Sequence, residues 1–128
     1  MKNKEIYEGA LRLLAQSSDG ADNSDYEERA PYLIASFCHE VFELDCIARK
    51  LLALPLSAAL ESVTLPLNED FPLLERFASA AMKYLAAMLV IDEDSELSDK
   101  LYDMYCDCVS RIREELPAAI ENIVNKYI

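Results

Sequence analysis

The chain has 128 residues, 52% of them hydrophobic and 28% charged, with 2 Gly and 5 Pro. A chain of this length makes one domain that buries roughly two-thirds of its unfolded surface without disulfides or a metal, and this composition excludes intrinsic disorder and a β-fold of many tight turns. Asp and Glu number 24 against 12 Lys and Arg, a net charge of −12, which repels phosphate backbones and argues against nucleic acid as a primary partner.

A first helix is expected over about residues 3–17, where Ile6, Ala10, Leu13 and Leu14 recur at helical spacing. Ser17 to Asn23 gather breakers and cap formers and read as a loop. Ser24-Asp25-Tyr26-Glu27 fits a capping box, in which hydroxyl and carboxylate each satisfy a free backbone N–H. The second helix follows, with Ala30, Leu33, Ile34, Phe37, Cys38, Val41, Leu44 and Ile47 or Ala48 in one stripe. Pro31 falls one to two turns inside it and predicts a kink or a later start. Arg49 and Lys50 lie near its C-terminal end, where cations suit the helix dipole.

Residues 51–70 read as an extended or irregular arm. Leu51 to Leu56 are apolar but broken by Pro55, and Ser62 to Leu67 alternate and read as an extended arm or a short strand ending at Pro66. An apolar arm of this kind is expected to be covered, by its own domain or by another subunit. Asn68-Glu69-Asp70 then predicts the cap of a third helix from Phe71 to Ile91, with Pro72 in its first turn. That helix is apolar on nearly every face and is expected at the centre. Asp92 to Ser95 form an acidic turn that caps a fourth helix, on which Leu97, Leu101, Tyr105, Cys108 and Ile112 keep one stripe. Pro117 predicts a break before a short final helix. The expected fold is thus an all-α helical bundle of four main helices plus a short C-terminal helix, in one domain covering 1–128.

No chemistry stands out. The lone histidine, His39, adjoins Cys38, and neighbours in a helix point about 100° apart, so a shared metal is not expected. Cys106 and Cys108 fall on roughly opposite helix faces. The Asp92–Glu96 run has the charge of a calcium loop but not its Gly or its terminal bidentate Glu. No Gly-rich phosphate loop and no Cys or Ser paired with a base can be picked out. The expectation is no enzyme, no cofactor and no metal. Met1 to Glu5 lead into an amphipathic segment without a signal-peptide core, and no apolar run reaches about 18 residues. Free thiols, a reducing compartment and no membrane span are therefore expected. Seven tyrosines include Tyr102 and Tyr105 on the fourth helix, a residue type favoured at protein interfaces.

Two stretches carry a resemblance. Phe71-Pro72-Leu73-Leu74, followed by the Ala78–Leu89 run, precedes the acidic turn and then Leu97-Ser98-Asp99-Lys100-Leu101-Tyr102-Asp103-Met104-Tyr105. This resembles the back half of head–tail connector (adaptor, neck) proteins of tailed phages. The front half is similar in plan: an Ile6–Ala15 helix, an acidic loop, a helix from Tyr26 bearing Glu40, Glu43 and Leu44, and the Leu65-Pro66-Leu67 arm. The likeness runs from about residue 4 to 113 as an order of helix types. It implies a structural protein of a virion or a bacterial host's cytoplasm that oligomerises into a ring and bridges portal and tail components. Val63, Leu65 and Leu67 of the arm, with Tyr102 and Tyr105, are the interaction residues expected for that role, and Leu65→Asp is expected to weaken assembly while sparing helix content. Two other readings stay open: an acidic DNA mimic, and a helical regulatory protein-interaction module of a bacterial host.

Overall fold

The computed structural model describes residues 1–15 and 24–127, with side chains as far as Leu116. Four helices form: α1 (Asn3–Leu13), α2 (Ser24–Leu51), α3 (Ala78–Val90) and α4 (Ser95–Tyr127), with one 3-10 turn at Glu75–Phe77 ahead of α3. The all-α expectation holds among the described residues. No strand forms there, and the only β pairing is an isolated antiparallel bridge between Lys2 and Asp70.

α1 buries Ile6, Tyr7, Ala10 and Leu11. It stops earlier than its apolar pattern suggests, because Ala15 turns into the left-handed region at φ 57°. The expected loop Ser17–Asn23 and the residue preceding the Ser24 capping box lie outside the described residues. α2 buries Ala30, Ile34, Phe37, Cys38, Val41, Asp45 and Ala48, one stripe at spacings of three and four. Helical residues already precede Pro31 from Ser24 on, so the proline lies within α2 and no later start occurs. The carbonyl it deprives of a partner belongs to exposed Glu27, where water can serve it.

α2 ends in a Schellman motif. Leu54 N–H donates to the Arg49 carbonyl at 2.8 Å and Ala53 N–H to that of Lys50 at 3.2 Å, with Ala53 at φ 56°. A β-carbon in that left-handed geometry is strained, and glycine relieves it. Ala53→Gly is therefore expected to raise stability by about 0.5–1 kcal/mol, checked by urea unfolding. An unchanged or lower midpoint would show that the turn tolerates its alanine without strain.

α3 is the central element and packs on all three other helices. Ala80, Ala81, Ala86 and Ala87 are buried on different sides of it, and their small side chains let neighbours approach closely. On α1, Gly9 serves the same end, since a β-carbon there would run into the Met82 thioether. The third helix does not begin at Phe71 as predicted. Residues 71–74 are not helical, because their backbone groups are engaged elsewhere: Phe71 N–H donates to the Met1 carbonyl at 2.9 Å and Leu74 N–H to Asp45 Oδ1 at 2.9 Å. Tertiary partners thus override a local sequence that looks like a cap followed by a proline.

The acidic turn does cap the fourth helix. Leu97 N–H donates to Asp94 Oδ1 at 3.0 Å. Buried Ser98 donates to the Ala87 carbonyl at 2.9 Å and ties α4 to α3. The predicted break at Pro117 is also corrected, because α4 continues unbroken to Tyr127 and no separate final helix follows. Proline removes only its own N–H, and the carbonyl left behind belongs to exposed Arg113.

Candidate functional site

Between α2 and α3 the chain makes a long irregular excursion, residues 52–74. Its route is pinned by backbone and side-chain hydrogen bonds rather than by a sheet. His39 Nε2 lies 3.1 Å from the Ser62 carbonyl, an acceptor, so that nitrogen carries the ring proton in this contact. Leu65 N–H donates to the Pro31 carbonyl at 3.0 Å. The arm then reaches the start of α1 and satisfies donors that every helix N-terminus leaves free. Asn3 N–H donates to the Glu69 carbonyl and Lys4 N–H to that of Leu67, both at 2.9 Å, while Asn3 Nδ2 donates to that of Pro66 at 3.0 Å.

The two ends of the arm meet at Asp45, which is fully buried. Arg49 Nε donates to Asp45 Oδ2 at 2.8 Å and Ser57 Oγ does so at 3.3 Å, while Oδ1 takes the Leu74 N–H. Arg49 spreads its other nitrogens over the Pro55 and Pro72 carbonyls, each at 3.1 Å, and Ser57 Oγ also donates to Pro72. A buried charge is tolerated only when paired and hydrogen-bonded, and here both carboxylate oxygens and all three guanidinium nitrogens have partners, the arm supplying Ser57, the Leu74 N–H and the Pro55 and Pro72 carbonyls. This clamp was missed in the sequence. The signal was legible: Asp45 interrupts the buried stripe between Val41 and Ala48, with an arginine four residues on.

The clamp holds apolar side chains out in solvent. Leu52, Leu54 and Leu56 are 57%, 43% and 52% exposed and Val63 is 72% exposed. These four are part of a group of ten large hydrophobic residues exposed among the described ones, so the arm is where exposed apolar surface concentrates. Of the residues singled out in sequence, Val63 is on that surface. Leu65 and Leu67 are partly buried against the core, so the arm does not present the three on one face as a strand would. Tyr102 is 40% exposed, but Tyr105 is buried.

Tyr105 sits in an aromatic cluster joining α2, α3 and α4, with ring centroids 5.1 Å from Tyr84 and 6.0 Å from Phe37. Its hydroxyl donates to Glu40 at 2.8 Å. Burial, and then that hydrogen bond, raise its pKa. Burial also raises that of Tyr84. At the other end of α2, burial and a 2.6 Å hydrogen bond to Glu93 push Tyr26 from 10.0 up to about 12. Unfolded tyrosines ionise near pH 10, whereas these keep their protons. Above that pH the unfolded state binds fewer protons, and stability falls as pH rises from about 10 to about 12. The urea midpoint is expected to begin falling near pH 9, where an unfolded Cys38 thiol ionises and the buried one does not, and to drop further between 10 and 11, less so in Tyr26→Phe. A midpoint unchanged at pH 11 would contradict this.

A second feature is an open groove of about 550 Å³ between α1 and α3, lined by Glu8, Gly9, Arg12, Ser79, Met82 and Lys83 among others. Among the described residues no group of three or more His, Cys, Asp or Glu is placed to hold a metal ion, and no helix is long and apolar enough to cross a membrane. No family model, no curated protein and no solved structure matches this chain.

Proposed function

We propose that this chain is a non-catalytic assembly protein that docks on other proteins through its clamped arm, in the manner of the phage head–tail connectors its sequence resembles. One observation carries the reading: Leu52, Leu54, Leu56 and Val63 are exposed on a segment whose backbone is held at Pro55 by Arg49, at Ser62 by His39 and at Leu65 by Pro31. Exposed apolar side chains gathered in one segment mark protein-binding surface. A backbone already fixed loses little conformational entropy when it binds. Tyr102 and Met104, exposed on α4, supply the residue types that interfaces favour.

On this reading the partners are portal or tail components and further copies of the chain. The place of action is the assembling virion or the cytoplasm of a bacterial host. Size-exclusion chromatography with light scattering, of the chain alone and mixed with the portal protein of the same genome, tests it. A complex with the portal, carrying several copies of the chain, is the expected result. A strict monomer that leaves the portal untouched would overturn the proposal, whereas a monomer in isolation is compatible with assembly on a template.

A further inference from the structure

The fourth helix carries cysteines that the assembly reading does not use. Cys108 is half-buried at the α3–α4 interface, and Lys83 Nζ of α3 lies 3.2 Å from its Sγ. The amine is fixed by a second contact, 2.9 Å to Ser79 Oγ. Lys83 and Ser79 also line the open groove beside α1, so the amine side of the pair faces solvent, and Cys108 is itself only partly buried. Cys38, by contrast, is fully buried, and burial pushes its thiol up to about 12.

We propose that Lys83 and Cys108 form an oxidation-triggered covalent cross-link between α3 and α4, with hydrogen peroxide as the oxidant. In the first step Cys108 sulfur attacks peroxide and the O–O bond breaks. The thiol becomes a sulfenic acid, and one water leaves. In the second step the Lys83 ammonium gives one proton to water, and the nitrogen lone pair so freed attacks that sulfur. The S–O bond breaks, an N–S bond forms, and the departing oxygen leaves as a second water with an amine proton. Sulfur is oxidised, peroxide is reduced, and the protein loses two hydrogen atoms in all. The contact favours this outcome because the amine is already at the sulfur when the sulfenic acid appears, so trapping is intramolecular. The product is a sulfenamide that thiol reductants reopen.

The link would close a loop of the 25-residue separation between the two positions. A cross-link of that span raises Tm by roughly 10 °C in a chain of this size. The test uses the full chain with Cys46→Ser and Cys106→Ser, treated with dilute hydrogen peroxide. The expected product is lighter by two hydrogen atoms, yields a peptide joining Lys83 to Cys108, melts higher, and reverts with dithiothreitol. In Lys83→Arg the cation remains but cannot make this bond, so Cys108 stops at a sulfenic acid that dimedone traps. The proposal is overturned if the Lys83-containing chain gives no joined peptide, whether Cys108 stays a thiol, is trapped by dimedone as fully as in Lys83→Arg, or goes on to the sulfinic acid. Peptide mapping with Lys83 in place decides the matter even if the arginine variant folds poorly.

Discussion

Asp45→Ala is expected to lower the unfolding free energy by about 3–4 kcal/mol, the range for breaking one side of a buried ion pair. The carboxylate is completely buried and takes hydrogen bonds from Arg49, Ser57 and the Leu74 backbone. Its removal leaves the Arg49 guanidinium, whose side chain is 18% exposed, without its charge partner. It also leaves a backbone donor unsatisfied. Asp45→Asn should do less harm, because an amide oxygen can still accept from Leu74. Combining an apolar residue at 45 with Arg49→Met should recover part of the loss, giving a coupling energy above about 1 kcal/mol in a double-mutant cycle. Because both ends of the arm meet at this carboxylate, native-state proteolysis should quicken within 52–74 more than in the helices. Urea unfolding checks the first figure. A loss below about 1 kcal/mol would mean the clamp is ornamental to the fold.

Leu54→Asp combined with Val63→Asp is expected to weaken assembly at least 100-fold and leave stability within about 0.5 kcal/mol of the parent. Val63 is largely and Leu54 partly solvated in the free chain, so a carboxylate at either position loses little packing. In a complex the same carboxylates would be buried against an apolar surface without partners, a strong penalty. Leu65→Asp, attractive from the sequence, is the less informative change. Leu65 packs partly against the core and its N–H is bonded to Pro31, so a charge there should unsettle the fold along with any interface. Isothermal titration with portal protein, beside urea unfolding, separates the two effects. Loss of stability in the Leu54/Val63 pair equal to its loss of binding would show that the arm is simply core.

Local signals in the sequence were read well where local interactions decide the structure. The cap at Asp94 and the largely apolar character of 78–90 depend on nearest turns, and both appear in the fold. They failed where a distant group competes for the backbone. Asn68-Glu69-Asp70 followed by Pro72 looks like a helix start, yet Met1 and Asp45 hold Phe71 and Leu74 out of the helix. The alternation from Ser62 to Leu67 allowed a short strand, but a strand needs a partner to pair with, and this segment is stitched to helix ends instead. Tyr105 illustrates a conflict that was visible in advance. It belongs to the periodic stripe of Leu101, Cys108 and Ile112, and the stripe, not the tyrosine's interfacial habit, decides its place. Asp45 could have been found by asking why a carboxylate sits on the buried face of α2. Its arm partners Ser57 and Leu74 could not, since they arrive from an irregular segment with no period to read.

The central claim is that the clamped arm is the docking surface, and amide hydrogen exchange on the free and portal-bound chain tests it most directly. Exposed backbone amides of 52–63 should exchange quickly in the free chain and gain protection on binding, with α1 and α3 little changed. Protection that appears elsewhere while 52–63 exchanges as before would contradict the account.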